Sequence, residues 1–446
     1  MGIATLFDQG LFAISNFALS LLLARWLGAA DYGAFSVAYS LFLVAGNVHT
    51  GLLTEPLLVL GSSKPPAEQG GYIGLVVVGH WHLGLALGVL GIAAGGVLLL
   101  LGSSAAVPMI ALGLAGPCIL YQWLLRRACY VRLQPGLAVS GGVVYLSLVL
   151  AGAFGIRATI GLSAASAFAL MGVASLVAGA WMARGLAARP PADDRRRRLA
   201  LAAREHWGYG RWAVAAGFLA WVPANAFYLL LPFWGGLEAT ASLRSLMNLI
   251  LPLTHGFAAL GLLATPLFVR LRDGPGFRRL VLVACMGCSA AAAACWLLLA
   301  TRGAWLMDVL YDGRYVEHAP LLWIVGALPM AYGATALLGA ALRALERPDR
   351  LFWAFAAATV VTATAGVLLV SSSGIGGAAV GRLLAAVSVP LVAAWALERA
   401  LAERVAAAGV ASVMGAADEP RSAPQTARAA ERETAPGGLE RAGGAA

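Results

Sequence analysis

Charged residues are scarce in this chain. Only 12% of its 446 residues are Asp, Glu, Lys or Arg, about half the share found in soluble globular domains. Lysine occurs only as Lys64, and five cysteines in a chain of this length are too few for a disulfide scaffold. Apolar residues make up 60% of the chain, and the mean hydropathy is +0.81. These values exclude a soluble enzyme and a disordered chain, and they indicate a protein surrounded mostly by lipid.

The sequence also has little that would bind a metal, a cofactor or a nucleic acid. Cys285 and Cys288 have metal-site spacing, but they lie in an apolar run without the second ligand pair that zinc needs. We therefore interpret both as packing residues. The net charge of +10 comes from basic residues between apolar runs and not from a basic surface. No basic segment precedes the first apolar run, so no cleaved signal is expected. We predict no cofactor, no metal and no nucleic-acid partner.

The apolar runs predict about twelve membrane-spanning helices. A spanning helix needs about 20 residues, and continuous runs of that length favour helices over barrel strands. The predicted spans are residues 9–28, 33–58, 72–101, 106–125, 137–156, 160–183, 212–234, 240–268, 279–300, 318–341, 352–371 and 375–397.

Arginine placement orients this bundle. With a cytoplasmic N-terminus, most arginines of the loops fall on the inside, including the run Arg195 to Arg198. Only Arg25, Arg157, Arg302 and Arg314 fall on the outside. The positive-inside rule therefore predicts that both termini are cytoplasmic.

The spans divide into six and six. GAADYGAFS at residues 28–36 aligns with GLEATASLR at 236–244, where each segment joins the first two helices of its half. Such repeats predict two lobes around a central cavity, which is a transporter plan. We expect an N-terminal six-helix lobe (1–190), a basic cytoplasmic linker (191–211), a C-terminal six-helix lobe (212–400) and a disordered cytoplasmic tail (401–446). The predicted fold is an all-α membrane protein with about 12 transmembrane helices in these two lobes.

Polar residues inside the spans mark candidate binding positions. A charged residue in a span costs about 2.5–3.5 kcal/mol on insertion scales, so each such residue indicates a structural or functional role. Polar side chains form narrow stripes on the first, second and eighth helices at 100° per residue, and Arg382 lies in the twelfth. Interhelical hydrogen bonding is the alternative explanation for the uncharged ones. The predicted substrate-binding residues are Asn16, Arg25, Asn47, Arg244, Asn248, His255 and Arg382.

These residues favour an anionic substrate. The candidate acids near the spans are Asp8, Asp31 and Glu55, so the predicted cavity is cationic. The guanidinium group of arginine can donate two parallel hydrogen bonds to two oxygens of a phosphate group. No catalytic residues are predicted, and we do not expect an enzyme.

Three segments carry a resemblance to a known family. The opening DQGLFAISNFALSLLLARWLGAADYGAFSVAYSL resembles the N-terminus of bacterial polysaccharide-biosynthesis flippases, through Asn16, Arg25, Gly28, Tyr32, Gly33 and Phe35. VLYDGRYVEHAPLLWIVGALP and GAALRALERPD are also similar to that family. These flippases belong to the multidrug, oligosaccharidyl-lipid and polysaccharide exporter (MOP) superfamily.

The resemblance implies a function and a location. It implies movement of a lipid-linked oligosaccharide, usually carried on undecaprenyl pyrophosphate, from the cytoplasmic to the outer leaflet for surface polysaccharide synthesis. It also implies a multi-pass protein of the bacterial inner (plasma) membrane, with the lipid-linked oligosaccharide, the bilayer and the polysaccharide polymerase machinery as partners.

Two other functions stay open. One is a drug or metabolite cation antiporter of the same superfamily, although such pumps more often depend on acidic residues in their spans. The other is a membrane glycan polymerase or ligase, whose catalytic groups would need a large external loop. The longest candidate for that loop is residues 301–317.

Overall fold

The computed structural model describes residues 2–191 and 193–417, and within them the side chains from residue 7 to residue 406. This part of the chain is helical without strands. Its long helices are α1 (Gly2–Trp26), α2 (Ala29–Ser62), α3 (Pro66–Leu100), α4 (Ala106–Val131), α5 (Pro135–Thr159), α6 (Ala164–Gly185), α7 (Arg195–Trp234), α8 (Gly236–Leu271), α9 (Phe277–Tyr311) and α10 (Val316–Ala344).

The last apolar stretch of the described residues is two helices. Eleven stretches are long and apolar enough to cross a membrane, and the final one is Pro348–Ala406. Gly374 interrupts it with φ 53° and ψ −126°, a backbone conformation that favours glycine. Gly377 packs on the Leu369 carbonyl, which shows that the chain reverses there. We therefore describe α11 (residues 348–373) and α12 (residues 375–417), which gives the predicted count of about twelve.

The two halves share their turn geometry. The turn before α5 and the turn before α11 each place one non-glycine residue in the left-handed region, Leu133 at φ 55° and Glu346 at φ 63°. Each turn then continues into the proline that starts the next helix. Gly161 (φ 80°) and Gly374 occupy the next corresponding turn of each half. The all-α fold with two lobes is confirmed.

Three boundaries differ from those expected. α7 begins at Arg195, so most of the predicted linker 191–211 is the first part of a membrane helix. α9 continues to Tyr311, which leaves residues 312–315 in place of the predicted outer loop 301–317. α12 continues to Ala417, inside the predicted disordered tail, and residues 418–446 of that tail lie outside the described residues.

The lobes meet along α2, α7 and α8. The face at which α1 begins is called the inner face below, and the opposite one the outer face. Near the outer face, α2 and α8 approach so closely that a methyl group at Gly33 would lie 1.9 Å from the Leu237 carbonyl oxygen. Nearer the inner face, the Asn47 amide donates to the Val214 carbonyl of α7 at 3.2 Å.

Candidate functional site: a cationic cavity between the lobes

A cavity of about 580 Å³ lies between the two lobes. Its wall comes from both halves, chiefly from α1, α2, α4, α7, α8, α10 and α12. The lining runs from Ser20 and Arg244, in the outer third of α1 and α8, to Arg126 and Arg127 near the inner end of α4. The cavity therefore extends toward the inner face.

Two arginines of the C-terminal half lie together in this wall. The guanidinium carbon of Arg244 is 5.2 Å from the ring centroid of Tyr228 and 5.3 Å from that of Tyr39. The guanidinium carbon of Arg382 is 5.4 Å from the same Tyr228 centroid. The two cations are therefore no more than about 11 Å apart. Stacking on tyrosine faces stabilises guanidinium groups, by about 0.5–2 kcal/mol each.

Arg382 retains unused hydrogen-bond donors. The residue is 6% exposed, and its Nε and Nη1 atoms are buried without a hydrogen-bond partner among the described residues. An unsatisfied buried donor costs about 1–3 kcal/mol, and more when it is charged. A guanidinium held in this way is prepared to donate to a ligand oxygen.

No carboxylate is among the described residues that line the cavity, whereas four arginines are. One of these is neutralised from outside the lining, because Arg126 Nε donates to Asp8 Oδ1 and Oδ2 at 2.9 and 2.8 Å. Arg127 lies beside it with its side chain more exposed. The cavity wall therefore carries net positive charge.

Five of the predicted site residues line the cavity, namely Asn16, Arg244, Asn248, His255 and Arg382. Arg25 does not, because it lies on the outer face with its guanidinium 3.8 Å from Asp312. Asn47 does not either, because its amide holds α2 against α7. Both residues make contacts between helices in this structure, and their role in substrate binding stays a prediction.

Asn248 lines the cavity but is engaged by the protein. Its Oδ1 accepts from Ser20 at 2.9 Å, and its Nδ2 donates to the Tyr32 hydroxyl at 2.9 Å. The three residues belong to α8, α1 and α2, so this cluster connects the lobes toward the outer face. Arg314 also donates a hydrogen bond to the Leu27 carbonyl. These contacts together hold the two lobes against each other near the outer face.

Sequence reasoning missed several lining residues. In the sequence, nothing distinguishes Tyr39, Tyr228 and Tyr332 from other apolar positions of their spans. The one available signal is that Tyr228 follows Asn225 by one helical turn, so both lie on the same face of α7 and line the cavity. Arg126 and Arg127 follow the predicted span 106–125, so the sequence alone places them in an inner loop. The helix continues to Val131, which brings both onto a cavity-lining surface.

Solved structures share this architecture. An inward-facing multidrug resistance MATE transporter of the MOP superfamily matches with a TM-score of 0.70 at 13% identity, over 88% of this chain and 95% of that one. The inward closed conformation of the lipid II flippase MurJ matches with a TM-score of 0.71 at 14% identity, over 89% of this chain and 87% of that one.

The chain has the fold of the MOP superfamily transporters. An outward-facing MATE transporter matches with a lower TM-score, 0.61, at 13% identity over 90% of this chain and 94% of that one. No protein-family model and no curated protein matches the chain by sequence. The implied MOP fold is confirmed, and the polysaccharide specificity stays a prediction.

Proposed function

We propose that this protein is a flippase that moves an anionic lipid-linked oligosaccharide, of the undecaprenyl-pyrophosphate type, from the cytoplasmic to the outer leaflet. The observation that carries the proposal is the pair Arg244 and Arg382 on Tyr228, in a cavity wall without a described carboxylate. Movement would follow alternating access, in which the lobes rock about the bound headgroup.

Electrostatics favours a ligand with two or more negative charges. Two cations no more than about 11 Å apart repel by at least about 1.5 kcal/mol at an effective dielectric constant of 20. A phosphate oxygen placed about 4 Å from one guanidinium is attracted by about 4 kcal/mol on the same scale. A pyrophosphate can reach both arginines, and it would offset the repulsion between them.

The uncharged polar wall suits the sugar part of the substrate. Asn16 and Asn225 come from the first helix of each lobe, and Thr50 and Thr54 come from α2. These amides and hydroxyls can bind sugar hydroxyl groups, while the polyprenyl tail stays in the bilayer. In this proposal the protein works in the bacterial inner membrane and delivers the glycan to polymerase machinery outside.

The cation antiporter is the competing proposal. Its support is the fold shared with MATE transporters and the aromatic wall, where Tyr39, Trp123 and Tyr228 offer faces to an organic cation. A cationic drug would add a third positive charge beside Arg244 and Arg382. The repulsion makes this function weaker on electrostatic grounds. A glycan polymerase is weaker still, because only residues 312–315 join α9 to α10.

Proteoliposomes distinguish these functions. The assay follows a fluorescent undecaprenyl-pyrophosphate oligosaccharide from one leaflet to the other, with ethidium uptake measured in parallel. We expect wild-type protein to move the lipid, and the double variant Arg244→Gln, Arg382→Gln to lose at least nine-tenths of the rate. Arg157→Gln is the matched control, because that arginine is exposed over Trp26 and outside the lining. Ethidium uptake without lipid movement would replace this proposal with the antiporter.

A further inference from the structure

A buried phenylalanine lies directly behind the two-arginine wall of the cavity. Phe227 of α7 is 0% exposed, and it precedes Tyr228, whose ring both arginines face. Successive residues of a helix point about 100° apart. The Phe227 ring is therefore directed away from the cavity, whose lining does not include it, and toward α11 and α12.

The ring occupies a notch formed by two glycines, Gly366 of α11 and Gly381 of α12. A methyl group at Gly366 would lie 3.1 Å from Phe227 Cζ, and one at Gly381 would lie 3.0 Å from Phe227 Cε1. A methyl group at Gly381 would also lie 3.0 Å from the Gly366 Cα. Carbon atoms in favourable contact are about 3.5–4.0 Å apart. A side chain at Gly381 therefore does not fit unless α12 moves away from its neighbours.

α11 is fixed to α7 at a second point. Thr359 Oγ1 donates to the Leu219 carbonyl of α7 at 2.9 Å, and this contact lies about two helical turns before the glycine notch. Gly366 itself ends the π-helical segment Thr362–Gly366, and such segments occur frequently at functional sites. Because α7 and α11 are joined at two levels, added bulk in the notch should displace α12 more than α11.

The position of Arg382 depends on how closely α12 approaches the notch, because Arg382 follows Gly381 in the chain. Its guanidinium carbon is 5.4 Å from the Tyr228 ring centroid, and that of Arg244 is 5.2 Å from the same centroid. A methyl group at Gly381 would move α12 by about 0.5–1 Å, the difference between 3.0 Å and a normal contact. Binding groups need to be held within about 0.5 Å of their productive geometry, so this shift would separate Arg382 from a ligand shared with Arg244.

We propose that Phe227, seated in the glycine notch, positions Arg382 relative to Arg244, and that this spacing distinguishes a lipid diphosphate from a lipid monophosphate. The positioning role rests on the proposed function. A diphosphate offers one phosphate group to each guanidinium, whereas one guanidinium can bind a monophosphate through two parallel hydrogen bonds. Displacement of Arg382 therefore weakens binding of the diphosphate and leaves the monophosphate on Arg244. Phe227 and Gly381 act only through Arg382, since neither lines the cavity.

Calorimetric titration of nanodisc-reconstituted protein with undecaprenyl pyrophosphate and with undecaprenyl phosphate tests the proposal. The two lipids share one tail, so the selectivity ratio, the Kd of the monophosphate divided by that of the diphosphate, reports the headgroup. In Gly381→Ala this ratio should fall by about 5- to 30-fold, as expected when one charge-assisted hydrogen bond is weakened. Gly376→Ala is the matched control, because a methyl group there, on the same helix, has open space, and the ratio should not change. An unchanged ratio in Gly381→Ala would overturn the proposal.

A second background shows whether the effect passes through Arg382. In protein that already carries Arg382→Gln, adding Gly381→Ala should change the selectivity ratio by less than about twofold, because both substitutions act on one interaction. A further fall as large as in the wild-type background would overturn the positioning role.

Phe227→Leu tests the same notch from α7 and serves if Gly381→Ala does not fold. It keeps an apolar side chain but removes the ring, so the selectivity ratio should again fall, and an unchanged ratio would overturn the proposal. The wild-type protein separates this inference from the proposed function. A wild type that binds neither lipid overturns the proposed function, whereas tight diphosphate binding with one ratio in all variants overturns the positioning role alone.

Discussion

Replacing Arg382 with glutamine should weaken ligand binding strongly while leaving the stability of the ligand-free protein nearly unchanged. The substitution removes one of two cations that stack on Tyr228, together with two buried nitrogen atoms without partners. Most buried residues would show the opposite pattern, in which a large stability loss explains any loss of function.

The magnitudes follow from the geometry. Loss of the stacking on Tyr228 costs about 0.5–2 kcal/mol, and relief of the repulsion from Arg244 returns at least about 1.5 kcal/mol. The substitution also removes two buried donors without partners among the described residues, so the loss of stacking is offset, and the melting temperature should not fall by more than about 4 °C. A hydrogen bond to a charged group contributes about 1.5–3 kcal/mol. The Kd for undecaprenyl pyrophosphate should therefore rise by about 10- to 150-fold.

The assay pairs calorimetric titration of the lipid into nanodisc-reconstituted protein with thermal unfolding of the same preparation. Arg157→Gln provides the control for removing one arginine outside the cavity lining, and it should leave both quantities unchanged. A change in Kd below about threefold for Arg382→Gln would show that this guanidinium does not bind the lipid headgroup. A fall in melting temperature large enough to explain the loss of binding would also contradict this prediction.

Three further substitutions test the contacts around the cavity. Asp8→Asn should lower the free energy of unfolding by about 3–5 kcal/mol in thermal denaturation, because it leaves the buried Arg126 unpaired; a loss under about 1 kcal/mol would contradict that pairing. Gly33→Ala should push the outer ends of α2 and α8 apart, which would be measured as a longer distance between spin labels on these two helices. Gly28→Ala is the control, because a methyl group at Gly28 has open space, and it should leave that distance unchanged. Asn248→Ala should lower the free energy of unfolding by about 1–3 kcal/mol, because the Asn248 amide is hydrogen-bonded to Ser20 and Tyr32. For the same reason the affinity for the ligand should change less than threefold. A larger loss of affinity would support the predicted role of Asn248 in substrate binding.

The sequence was sufficient for the helices because lipid imposes a simple requirement on them. Each span needs a long apolar run whose backbone is satisfied internally, so the apolar runs in the sequence reveal the number of helices. Their ends were harder to predict. α7 begins in the arginine run at Arg195 and α4 extends past Arg127, since helices continue into the polar boundary region where hydropathy no longer marks them.

The cavity was only partly predictable, because it depends on contacts between distant segments. Arg244 and Arg382 stand out as charges inside spans, so a simple insertion cost identifies them. Tyr228 does not, since a tyrosine in a span is common and only the arrangement of α7, α8 and α12 brings both arginines onto its ring. Asn47 and Asn248 show a second limit of the sequence pattern, because both make hydrogen bonds to other helices. Polar spacing predicts which face of a helix is buried, but it does not distinguish a ligand from a neighbouring helix as the partner.

The central claim is that Arg244 and Arg382 together receive the phosphate groups of a lipid-linked substrate. A cryo-electron microscopy structure with bound undecaprenyl pyrophosphate tests it most directly. We expect pyrophosphate density within about 3 Å of guanidinium nitrogens of both residues, a normal distance for charge-assisted hydrogen bonds. Density for the headgroup elsewhere, with these two arginines still stacked on Tyr228 and free of ligand, would contradict it.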